Sequence, residues 1–336
     1  MSMDVNRDTF SFPSSDKSSA LHACAWYVPG QAPRAVIQLT HGMSEHIARY
    51  DDFACHLVQR GLFVCGHDHI GHGKSVALID RLCCLPCDAD VCMEEDINIL
   101  RREATARFSL EGIPWFLFGH SMGSYLVRAC LLDGAADGYR QRACDTDPCA
   151  AGLAGAILCG TGQVPKPLSI AGVALAQLIA RARGADYRSA FLDDFGTGTF
   201  ERAVPENRTS FDWLNSDPSG VDAYVSDELC GVMFSAGGYR AIGHLTGRVS
   251  APDCGKLLPN GFPILMIAGA DDPVGNRGRG VQAVARALRA GSQAQVDVHL
   301  YPGMRHEILN EPRHTDVYDD VDRWLDEVLG ENTQEK

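Results

Sequence analysis

A serine framed by glycines is the feature of this sequence that most directly suggests chemistry. Gly119-His120-Ser121-Met122-Gly123 is the only GxSxG in the chain; it follows the apolar run 114–118 and opens a helical pattern. A strand that turns sharply into a helix forces such a serine into a strained backbone, and the flanking glycines remove side chains that would collide there. Ser121 then stands at the carboxyl end of its strand, with a helix N-terminus behind it that favours developing negative charge. A hydroxyl is a weak nucleophile, so acyl-transfer chemistry also needs a base and an acid that orients the base, both brought close by folding. Candidates follow in the order serine, acid, histidine. Ala268-Gly269-Ala270-Asp271-Asp272-Pro273-Val274 comes after the apolar run 263–267, and the loop Pro302-Gly303-Met304-Arg305 leads into His306. Asp271 and Asp272 are neighbours on an extended stretch, where alternation lets only one of them face His306.

The same chemistry needs two backbone N–H groups aimed at the oxygen that becomes negative. Met122 offers one by its place after the serine. The second is expected from Met43, where His41-Gly42-Met43 turns the chain after the run 35–40. The other histidines have plainer readings: His120 should point away from the serine, His69 and His72 lie in a Gly-rich loop with turn and hydrogen-bonding roles, and His299 is a strand residue.

The elements that must position these groups alternate. Short apolar runs at 22–28, 34–40, 61–66, 114–119, 154–160, 263–269 and 295–301 predict strands, and helical patterns lie near 46–60, 91–108, 122–133, 277–290 and 315–329. This is the pattern of a mostly parallel sheet covered on both faces. The alternation stops near 161 and resumes near 262, with a further helical pattern at 168–183 between, so the chain divides into a core of 1–160 with 246–336 and a lid inserted at 161–245. On the lid helix Leu168, Ala171, Leu175, Leu178, Ile179 and Ala182 recur at helical spacing; they could line an acyl-chain tunnel, rest on a lipid surface, or pack on the domain beneath.

Composition narrows the partners. A net charge of −13 with no Lys/Arg-rich run would repel a phosphate backbone, which argues against nucleic acid. The first twenty residues carry charges and hydroxyls where a signal peptide needs roughly 7–15 apolar residues, and the longest nearly apolar run, 168–180, is shorter than the roughly 20 residues of a membrane-spanning helix. Thirteen scattered cysteines suit free thiols in a reducing compartment, hence a cytoplasmic location. Cys83, Cys84, Cys87 and Cys92 cluster without a second CxxC or HxxxH pair, so a Cys-rich loop is expected there rather than zinc.

With these residues in place, HGMSEHIARY from His41, HDHIGHGKS from His67, FGHSMGS from Phe118, GADDPV from Gly269 and YPGMRHEILNE from Tyr301 together resemble the monoacylglycerol lipase and lysophospholipase branch of the α/β-hydrolases. The lid stretch around Arg208–Asp217 also resembles that of bacterial lysophospholipases. Ser124, directly after the Gly119–Gly123 strand-to-helix turn or nucleophile elbow, and the Cys-rich segment 83–92 depart from the family pattern. The resemblance implies an α/β-hydrolase fold with an inserted, mainly helical lid. It also implies Asp272 as the orienting acid and His306 as the base, in a serine esterase acting on a small lipid ester without metal or organic cofactor. Two other readings stand beside it. An aminopeptidase or small-ester hydrolase on the same scaffold would use lid acids such as Asp193, Asp194, Asp212 or Asp217 to hold a free amino group. A binding protein that keeps the fold without turnover would be expected to lack a member of the serine, acid and histidine set.

Overall fold

A computed structural model describes residues 4–136, 152–205, 207–251, 258, 260–291 and 294–330. Eight strands form one sheet in the order β1-β2-β4-β3-β5-β6-β7-β8. They are β1 Asn6–Pro13, β2 Ala20–Tyr27, β3 Val36–Thr40, β4 Phe63–His67, β5 Trp115–His120, β6 Leu153–Cys159, β7 Pro263–Gly269 and β8 Gln295–Tyr301. β1 and β2 run antiparallel to their neighbours; every pairing from β4 to β8 is parallel. The helices are α1 Asp51–Gln59, α2 Ala89–Phe108, α3 Met122–Ala136, α4 Lys166–Arg183, α5 Ala190–Phe195, α6 Gly198–Glu201, α7 Pro218–Ser226, α8 Ala236–Val249, α9 Arg279–Gly291 and α10 His314–Val328.

The central strands read as unbroken apolar runs because both of their faces are covered. Successive side chains alternate between two cores, as the period of a strand requires. Trp115 and Leu117 of β5 face one core with Met93 and Ile97 of α2, Leu126 of α3 and Val284 of α9. Phe116 and Phe118 face the other with Phe53 of α1 and Tyr318 and Trp324 of α10. The same alternation in β7 sends Ile264 and Met266 one way and Leu265 and Ile267 the other. Each of the seven strands expected from the sequence has its counterpart. β1 is additional: only Phe12 and Ser14 near its end are buried, so its sequence carries little apolar signal, and pairing with β2 from Asn6↔Tyr27 to Pro13↔Ala20 creates it.

Between the adjacent strands β6 and β7 the chain runs through α4 to α8. α4 lies along α8 with the Ser169 hydroxyl donating to the Gly243 carbonyl at 2.6 Å. A Cβ on Gly247 would come within 2.5 Å of that hydroxyl, so the glycine permits the close crossing. α8 starts at Ser235, whose side chain accepts the Gly238 N–H as helix N-caps do, and it continues unbroken through residues 245 and 246. Among the described residues no helix is long and apolar enough to cross a membrane.

Candidate active site

Ser121 sits between β5 and α3 with φ of 53°, a left-handed conformation that costs a non-glycine residue energy and persists only where its surroundings fix it. Those surroundings are tight. Its N–H donates to the Cys159 carbonyl at 3.0 Å, and a Cβ on Gly119 or Gly123 would collide with the Gly123 or Thr40 carbonyl respectively. Ser124 turns its hydroxyl back to the Ser121 carbonyl, 2.6 Å away. The strained serine is therefore packed from both sides by backbone that no larger residue could tolerate.

Beyond β7, Asp272 is fully buried whereas Asp271 is exposed, so the alternation of adjacent side chains sends only Asp272 inward. Its Oδ2 lies 2.9 Å from His306 Nδ1, and its Oδ1 accepts the Val274 N–H at 2.8 Å. A Cβ on Gly269 would strike the Met304 and Arg305 carbonyls, so this glycine lets the loop before His306 close on the loop that holds Asp272. The His306 ring is 1% exposed, and its Nε2 has no hydrogen-bond partner. The ring is held between His120, 4.7 Å away by centroids, and Trp213, 5.2 Å away. Ser121, Met122, Met43 and His306 all line one cavity of about 440 Å³. Among the described residues the N–H groups of Met43 and Met122 have no hydrogen-bond partner.

The loop after β3 is fixed by a buried charge network that the sequence reading did not contain. Glu45 Oε1 accepts the Gly42 N–H at 2.5 Å, the Tyr50 hydroxyl at 2.9 Å and His120 Nδ1 at 3.0 Å. Arg49 bridges Glu45 at 2.9 Å and Glu307 at 2.6 Å. Burial opposes the charge on Glu45, yet the hydrogen bond and charge of His120, with Arg49 behind, hold its carboxyl well below the usual range. Burial also opposes charge on His120, and Glu45 nonetheless raises it above an ordinary histidine. His120 thus points away from the cavity's serine into an ion pair, and its Nε2 faces the His306 carbonyl at 3.3 Å. The network joins the residue before Ser121, the loop carrying Met43 and the residue after His306. All of these residues lie within the HGMSEHIARY, GHSMG and RHEILNE stretches, but spacing alone gives no sign that they meet.

His69 and His72 pack with His41 and His67 in a buried cluster, His41 and His69 4.3 Å apart by ring centroids. Burial pushes all four below the ordinary histidine value, His67 to about 3, so they stay neutral. His41 Nε2 accepts the His69 N–H at 3.0 Å. His299 is paired with Asp320 at 2.9 Å.

Of the four lid acids, Asp193 and Asp194 reach the cavity, but Asp193 accepts from Tyr239 and Thr197, and Asp194 pairs with Arg202. Asp212 accepts from Arg208 and Thr209, and Asp217 caps α7. The α4 stripe does not line the cavity. Leu175 and Ile179 pack towards the core, whereas Leu168 and Leu178 are exposed. Of the four clustered cysteines, Cys83 is buried beside Ser44 and Cys84 lies near Arg188.

A mostly parallel eight-stranded sheet, a strained serine between β5 and α3, and an acid and a histidine delivered after β7 and β8 define an α/β-hydrolase. The chain belongs, within that class, to the family described as serine aminopeptidase, S33, which it matches over residues 31–313. Its relatives include the monoacylglycerol lipase of Mycolicibacterium smegmatis, 28% identical over 89% of this chain and 90% of that protein. A monoglyceride lipase homolog of Monkeypox virus is 32% identical over 32% of this chain, a stretch that spans only 37% of the viral protein. Among solved structures, a thermostable carboxyl esterase from Bacillus coagulans in complex with glycerol is 26% identical with a TM-score of 0.79, covering 96% of this chain and 99% of that one. A lipase in its open form, also 26% identical with the same coverage, superposes with a TM-score of 0.81.

Proposed function

We propose that this chain hydrolyses carboxylic esters of single-chain lipids, monoacylglycerol or lysophospholipid, through an acyl-enzyme on Ser121. In this reading His306 Nε2 takes the Ser121 proton, the hydroxyl oxygen attacks the ester carbonyl, and the Met43 and Met122 N–H groups hold the oxyanion. His306 returns the proton to the leaving alcohol, then activates a water that frees the fatty acid. Asp272 fixes the tautomer with hydrogen on Nδ1 and stabilises the imidazolium that forms. The observation that carries the reading is the buried Asp272–His306 pair, which leaves Nε2 unpartnered beside the cavity that Ser121 lines. The cycle uses side chains and backbone alone, with no cofactor or metal.

The lipid preference is supported by the cavity's apolar wall, with Phe200, Phe211, Trp213, Val232, Met233 and Ile242, and by the relative from Mycolicibacterium smegmatis. The segment 161–245 serves as a lid, whose exposed Leu168, Ile170, Leu178 and Phe191 rest on the lipid surface as a peripheral contact. Free cysteines, ten among the described residues, suit a cytoplasmic setting. The aminopeptidase reading is weakened because Asp193 and Asp194 already have partners in the lid.

The test is a substrate series: a short-chain p-nitrophenyl ester, a long-chain monoacylglycerol, a lysophosphatidylcholine and an amino-acid anilide. Turnover of the short ester and of at least one lipid is expected, with the anilide untouched. Turnover of the short ester alone removes the lipid assignment, and turnover of the anilide alone replaces it with a peptidase.

A further inference from the structure

Three side chains of metal-binding type meet where the loop after β3 touches the segment after α7. His46, Asp227 and Cys230 bring one ligand atom each within 4.8 Å of one another, and theirs is the one such group among the described residues. His46 Nε2 lies 2.8 Å from Asp227 Oδ2. Asp227 and Cys230 are held on a single turn, with the Cys230 N–H donating to the Asp227 carbonyl at 3.0 Å and the Leu229 N–H to Asp227 Oδ1 at 2.9 Å. That arrangement leaves Oδ2 free to face His46. The turn is pinned to the facing loop because Ser44 O accepts both the Gly231 N–H at 3.0 Å and the Tyr224 hydroxyl at 2.9 Å. Cys230 is 8% exposed, whereas the Asp227 side chain, at 30%, leaves a route from solvent.

The donor set is chemically selective. A thiolate, an imidazole and one carboxylate match a tetrahedral zinc-class ion that keeps water in its fourth position; magnesium and calcium want oxygen donors in larger number. Arg49, the cation nearest the site, is already paired with Glu45 and Glu307, so Asp227 and the Cys230 thiolate are left to offset the metal ion. We propose that His46, Asp227 and Cys230 form a binding site for one thiophilic divalent cation of the zinc class. On binding, the Cys230 thiol gives its proton to solvent and its sulfur bonds the cation. His46 carries its proton on Nδ1 so that the Nε2 lone pair is free, and Asp227 exchanges its contact with His46 for a metal–oxygen bond. Metal–ligand distances of about 2.0–2.3 Å require only that these side chains close around the ion. The cation then ties the loop that carries Met43 to the segment that follows α7.

The experiment uses the full-length chain, chelator-treated and reduced, titrated with Zn2+ by calorimetry and with Co2+ as a spectroscopic probe, beside Cys230→Ser, His46→Gln and Asp227→Asn. The wild type is expected to bind one Zn2+ at micromolar concentration or below and to show a near-ultraviolet thiolate-to-Co2+ band. Cys230→Ser should weaken Zn2+ at least about 100-fold and lose both the band and the Zn2+-dependent rise in Tm. Melting each variant without metal shows that it folds; if Cys230→Ser does not, the more exposed Asp227→Asn provides the same comparison of affinity and Tm. The site is refuted if the wild type takes up no Zn2+ below about 0.1 mM, or if the folded variants bind as the wild type does, which would trace the metal to other thiols among the thirteen cysteines.

Discussion

At the scale of single residues, the informative contrast is between two neighbouring aspartates. Asp271 and Asp272 are equivalent in sequence spacing, and the resemblance to known hydrolases favoured the second; burial and a 2.9 Å contact with His306 now distinguish them physically. Asp272→Asn is expected to lower kcat about 10⁴-fold by presenting the wrong histidine tautomer, while Asp271→Asn stays near wild type; steady-state kinetics on a soluble ester measures both. The Glu45 network was not legible, because its members come from three separate stretches and only folding brings Arg49 to Glu307. Glu45→Gln removes the charge that faces Arg49 and His120 in a buried setting, and urea unfolding is expected to show about 3–5 kcal/mol of lost stability. A loss below 1 kcal/mol would mean that the network relaxes without it.

At the scale of elements, the sheet was readable because buried parallel strands are written as apolar runs and their crossover helices as 3.6-residue patterns. β1 escaped because an edge strand with one solvated face needs few apolar residues. The apolar stripe of α4 showed how periodicity underdetermines partners: Ala176 and Ala180 are buried, while Leu168, Ile170 and Leu178 face outward. If that outer face meets lipid, replacing Ile170 and Leu178 together by serine should reduce sedimentation with phospholipid vesicles several-fold and leave hydrolysis of a soluble short-chain ester unchanged. Equal vesicle binding by wild type and variant would remove the membrane contact. Gly123→Ala tests the elbow, since its new methyl would collide with the Thr40 carbonyl; soluble variant protein with full esterase activity would show that the turn has room the structure does not give it.

At the scale of the whole molecule, the buried histidines link stability to pH. His41, His67, His69 and His72 are held below their unfolded value near 6.5, chiefly by burial, so below that pH the unfolded chain binds protons that the native chain refuses. Their contribution is fully present above pH 6.5 and is lost as pH falls towards their folded values, by about 1.4 kcal/mol per pH unit for each. His120 has the opposite sign: its raised value stabilises the fold below pH 6.5 and fades as pH rises through the folded value. His22 is lowered as well, chiefly by burial, so the lowered histidines outnumber the raised one and the unfolding free energy is expected to fall between pH 7 and pH 5, read by urea denaturation; a flat profile would mean that the cluster is hydrated or charged in the native state. The central claim is nucleophilic catalysis by Ser121, and its most direct test is covalent. Wild type and Ser121→Ala are treated with a fluorophosphonate ester and analysed by intact mass and peptide mapping, with ester hydrolysis followed in parallel. A single adduct on Ser121, complete loss of hydrolysis on labelling, and neither adduct nor turnover in the variant is the predicted result; an adduct on another residue, or hydrolysis that survives in Ser121→Ala, would contradict it.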